Sequence, residues 1–238
     1  MAKKKNPITF SQIKTEFINK IKNISKQLDE IPDIACPNDE AVIVFTLHPE
    51  YTYSIQPLTF IKSVGLRIIG KILLTTINGF LTDVFIAGPR SKFRNLTSEI
   101  ENWKENNKKA TELIQIKNIR IQAPEERIKY VIDGKDGIIH LDEPIPSLVT
   151  STHTNCTITL HAGDDPNTET LNSFKNYLAL LGVDIDISRR FDVGGLSYLF
   201  TKIQNDKMID IAKFPFLRTI KQTPKIRLAK LKEHITNN

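Results

Sequence analysis

The chain is poor in cysteine, with two in 238 residues: Cys36 in the loop-like IACPND and Cys156 beside a strand-like segment. Two such thiols do not make a disulfide framework, so reduced cysteines are expected. Long hydrophobic runs are missing too. No segment approaches the ~20 apolar residues of a membrane span, and Met1-Ala2-Lys3-Lys4-Lys5 leads into polar residues where a signal peptide would have its apolar core. A soluble, cytoplasmic chain with no membrane partner is the expectation. Acidic residues are numerous but dispersed, and nothing specifies a general acid and base pair. No cofactor is called for.

A duplicated strand end is the most informative feature present. Ala41 to Tyr51 (AVIVFTLHPEY) is an apolar, strand-favouring run that ends in Thr46-Leu47-His48 before Pro49, which cannot donate to a ladder. Thr159-Leu160-His161 repeats the ending about 113 residues later, ahead of the turn formers Gly163-Asp164-Asp165-Pro166. The echo predicts a repeated unit. Charge is uneven as well. From Ile211 to Asn238 seven Lys or Arg face Glu233 alone, which accounts for the whole net charge of +6. The rest is a neutral body, so an electrostatic partner is expected at the tail.

Residues 1–40 read as an N-terminal helix and loop. Ile13, Phe17, Ile21, Ile24 and Leu28 form one apolar stripe, with Thr9 or Ser11 as cap and Pro32 as terminator. Residues 41–122 read as strand, helix, strand, strand, helix, strand. Gly65 ends a short helix, Asn78-Gly79 makes a tight turn, a helix opens at Ser91, and a final strand runs from Leu113 to Ile121. Residues 123–155 read as a linker with a small hairpin. Residues 156–222 repeat the order, with strands at Thr157–His161, Val183–Arg189, Leu196–Ile203 and Phe216–Ile220, helices at Asn167–Leu181 and Asp206–Ala212, and a turn at Gly194-Gly195. The expected fold is α+β, two tandem ferredoxin-like (βαββαβ) units with antiparallel sheets, followed by a basic tail over 223–238.

Few residue groups suggest chemistry. Gly65 to Ile72 (GLRIIGKI) fails as a P-loop, because Ile72 stands where Mg²⁺ binding needs a hydroxyl and no helix follows to hold phosphate. His153, Cys156 and His161 lack the spacing and second thiol pair of a zinc site, so no metal is expected. Tyr198 and Phe200 share one face of their strand, as base-stacking aromatics of RNA-recognition domains do, although the first strand TITLHA has no aromatic and no basic residue precedes the glycine. The proline-interrupted basic segment from Phe214 to Arg227 suits insertion into a groove or along a sheet edge.

TLHPEY, a short helix and VGLRIIG, through Leu47, His48, Pro49, Val64, Gly65, Leu66 and Arg67, resemble the N-terminal region of a group of large bacterial subtilisin-like serine peptidases, some linked to phage defence. Leu217-Arg218 and Pro224-Lys225-Ile226-Arg227 look like the junction that precedes the peptidase domain in that group. The Asp, His and Ser segments that a subtilase needs do not occur in this sequence. The resemblance therefore implies no enzyme, but a non-catalytic, prodomain-like region. Such a region binds a subtilisin-like peptidase in cis or in trans, with a sheet of the second unit docking and Thr223, Pro224, Lys225, Ile226 and Arg227 filling the substrate groove. A nucleic-acid-binding module using the basic tail, or a structural interaction domain of a bacterial defence system, are the alternative readings.

Overall fold

The computed structural model describes residues 9–51, 58–76, 79–132, 135–137, 152–162 and 169–223. Helix α1 (Phe10–Asp29) begins at Thr9, whose hydroxyl accepts from the Gln12 N–H while the Gln12 side chain accepts from the Thr9 N–H. This reciprocal capping box satisfies two otherwise orphaned donors. The helix buries Phe17, Ile21, Ile24 and Leu28, the stripe expected from their spacing. Arg90 closes its other end, donating to the carbonyl of Ile31 at 3.0 Å and to the carboxylates of Asp33 and Asp39.

Strands β1 (Glu40–Leu47), β2 (Arg67–Thr76) and β3 (Gly79–Pro89) follow, with the short helix α2 (Phe60–Ser63) between the first two. Helices α3 (Arg90–Glu101) and α4 (Lys108–Leu113) precede β4 (Ile116–Arg120). The four strands form an antiparallel sheet in the order β2-β3-β1-β4. One face, with Ile43, Phe45, Val84 and Ile86, packs on α1 and α3. The strand expected from Leu113 begins at Ile116, because Asn107 caps a helical turn by accepting from the Lys109 N–H at 3.0 Å.

Helix α5 (Pro124–Arg127) leads into β5 (Ile128–Ile132) and β6 (Lys135–Gly137), the small hairpin expected in this connection. After it come β7 (His153–His161), α6 (Glu169–Leu180), β8 (Arg190–Val193), β9 (Leu196–Gln204), α7 (Met208–Ala212) and β10 (Leu217–Gln222). The second sheet has the order β6-β5-β10-β7-β9-β8. It is antiparallel except where β5 joins β10 in parallel. The hairpin thus extends this sheet. The strand expected over Val183–Arg189 starts only at Arg190, since the Asp186 carboxylate accepts from the Ser188 N–H at 3.0 Å and gives the backbone a local turn in place of a ladder.

The fold is α+β with one antiparallel and one mixed sheet. Val42, Val44, Phe85 and Ala87, on the face of the first sheet away from α1, share a core with Ile158, Leu160, Phe174 and Leu178 of the second. Arg127 adds a polar tie. Fully buried, it donates to the carbonyls of Ala212 (3.0 Å) and Phe214, and burial lowers its pKa to about 10, so it stays a cation at neutral pH.

Candidate functional site

The residues of the sequence motifs are structural. Val64 and Leu66 are buried in the first core. Gly65 takes φ +76° while its N–H and that of Leu66 return to the carbonyls of Lys62 and Ile61, a helix end that favours glycine. Arg67 forms a two-pronged ion pair with Glu40. Leu47 is buried, and the His48 N–H bonds the Gln115 carbonyl at 2.9 Å just before Pro49 opens a short turn. His48 also borders a cavity of about 430 Å³ between α1 and β4, beside Lys20 and Glu50.

The two Thr-Leu-His endings play parallel roles with different histidine fates. Thr46 donates its hydroxyl to Asp83 at 2.6 Å, and Asp83 also accepts from Arg120 at 2.8 Å. In the second ending, the His161 N–H bonds the Phe216 carbonyl at 2.8 Å. Its ring lies 4.9 Å from that of Phe85 and under Gly70 of the P-loop-like segment, so this histidine sits where the two sheets meet. Burial, with Arg218 adding to it, pushes its pKa down to about 3, and the ring is neutral at physiological pH. Cys156 points to the opposite side of β7, and His153 and His161 stand eight positions apart, roughly 26 Å along a strand. No cluster that could hold a metal ion exists among the described residues.

Among the described residues, the outward face of the second sheet gathers three exposed apolar side chains, Phe191, Val193 and Phe200. Leu199 and Ile203 of β9 point into the core, whereas Tyr198, Phe200 and Lys202 alternate to the other side. Phe191 of β8 lies opposite Tyr198, with ring centroids 6.4 Å apart. Phe191 and Phe200 are each 62% exposed and Val193 52%. The hairpin turn at Gly194-Gly195, both at positive φ, sets this register. Tyr198 and Phe200 were readable as a pair from the period of two. Phe191 was not, because only the cross-strand register brings it beside them.

Of the expected groove-filling residues, Thr223 is described and Pro224, Lys225, Ile226 and Arg227 lie outside the described residues. The Thr223 N–H donates to the Asn155 carbonyl at 2.8 Å, extending the β10–β7 ladder by one rung. β10 itself is an interior strand, flanked by β7 and β5. Thr223 is therefore held at the end of the ladder. Among the described residues, no helix is long and apolar enough to cross a membrane. No protein-family model matches the chain, and no curated protein matches it.

Proposed function

We propose that the chain is a non-catalytic, prodomain-like module. It binds a subtilisin-like serine peptidase in cis or in trans, and it inhibits that enzyme or assists its folding. Its two sheets with their helices are tandem copies of one ferredoxin-like unit. In support, β4-β1-β3-β2 and β10-β7-β9-β8 both run in the order last, first, third, second.

The observation that carries the function is the anchoring of the final strand. β10 is bonded on both sides, and its last rung is Thr223 to Asn155. A segment launched from such a strand has one end already ordered, so seating it in a groove costs less entropy than seating a free peptide. Residues 224–227 (PKIR) are the segment in question. The test is inhibition of a subtilisin-like peptidase encoded in frame with this chain or beside it. The full chain lowers turnover, and a chain ending at Thr223 does so much less. Absence of association at micromolar concentration would refute the reading.

A further inference from the structure

We propose that the outward face of the second sheet is a binding platform for single-stranded nucleic acid, separate from the C-terminal segment. Two phenylalanines on one sheet face are each 62% exposed, an apolar patch of the kind that marks an interaction site. With Tyr198 between them in register, they offer a line of rings across β8 and β9. Every base has a π-face, so such rings hold a single strand with little regard to sequence, while a duplex keeps its bases stacked and out of reach.

The chemistry around the rings selects a polyanion. Lys202 lies two residues beyond Phe200 on the same face, and Lys221 of β10, opposite Thr157, pairs with Lys129 of β5 on that side. Asn155 and Thr157 of β7 add neutral hydrogen-bonding groups in front of Lys202 and Phe200. Among the described residues, no outward position of β5, β7, β8, β9 or β10 carries a carboxylate, and Asp136, paired with Val131 on the edge strand β6, stands four strands away from β9. Asp192 points to the opposite side, held by Arg190 at 2.8 Å and by Ser197. Phosphates passing over Lys202 and Lys221 would meet cations while the bases reach the rings. The other occupant that such a face could take is an acidic protein surface, and the test separates the two.

The experiment is fluorescence anisotropy of labelled 12-mers, oligo-U and oligo-dT, with the full chain across a salt series. Three variants accompany it: Phe191→Ala/Phe200→Ala, Lys202→Glu, and a chain ending at Thr223. The ring positions are exposed, so the double variant should fold, which circular dichroism verifies. Binding that weakens with salt, falls roughly tenfold or more without the two rings, drops with Lys202→Glu and survives tail removal supports the proposal. The oligo-U and oligo-dT arms show whether RNA or DNA is preferred. Lack of binding at tens of micromolar overturns it, as does binding that needs only the tail. Loss of peptidase inhibition in the ring variant, with no nucleic-acid binding in the parent, assigns the face to protein and leaves the peptidase reading standing.

Discussion

Gly70→Ala probes the seam between the two sheets directly. A Cβ at this position would lie 2.8 Å from Cε1 and 3.3 Å from Nδ1 of His161. Carbon atoms in contact normally sit about 3.5–4.0 Å apart, so the ring or the strand has to move by roughly 0.7 Å or more. The ring has little room. His161 is 3% exposed, and Phe85 lies against it at 4.9 Å. Overpacking of this kind costs about 1–3 kcal/mol. For a chain of this size each kcal/mol lowers Tm by roughly 2–4 °C. His161→Ala removes the obstructing ring, so in the double variant the alanine at position 70 should cost about 1 kcal/mol less than it does alone. Urea denaturation of the four proteins in the cycle measures this coupling. A Gly70→Ala cost below 0.5 kcal/mol, or strict additivity with His161→Ala, would refute the packing of β2 on the end of β7.

The same histidine predicts acid sensitivity. Its folded-state pKa of about 3 lies below the ~6.5 of an unfolded histidine, so the unfolded chain takes up the proton first. Stability from this group is full above ~6.5 and falls as pH drops toward 3, by about 2 kcal/mol between pH 7 and 5. Arg218 and Arg127 both oppose the imidazolium. Relative to the parent, His161→Leu should show a shallower loss of stability over that window, and parallel curves would contradict the placement. The thiols give an independent check. Burial raises Cys36 to about 11 and Cys156 to about 12, and the two are 4% and 1% exposed. At pH 8 neither should react with a thiol reagent at an appreciable rate until the protein unfolds, when both do. Rapid labelling of the native chain would count against the core assignment.

How much of this was legible in the sequence depended on whether the signal was local. Thr9 and the apolar stripe of α1 were readable, because cap and periodicity lie within one element. So were the tight turns at Gly79 and at Gly194-Gly195, since positive φ selects glycine wherever the strands pair. Val183 and Ile185 looked like strand because they are β-branched and two apart, and both are buried. The Asp186 side chain bonds its own neighbourhood, however, and delays the strand to Arg190. The parallel joining of β5 to β10 had no local signature, because parallel neighbours distant in sequence are chosen by tertiary packing. The candidate site divided along the same line. The basic tail and the Tyr198–Phe200 pair could be read directly, whereas Phe191 joins them only through cross-strand register, and the burial of His161 only through contact between sheets.

A matched comparison of two chains against a subtilisin-like peptidase, the proposed partner, tests the groove-filling reading. One is the full chain and the other ends at Thr223, which keeps the β10 rung to Asn155 and removes residues 224–238, the proposed groove segment 224–227 among them. Competitive inhibition by the full chain, weakened at least tenfold by the truncation, is the expected result. Equal inhibition by both, or none by either, would contradict it.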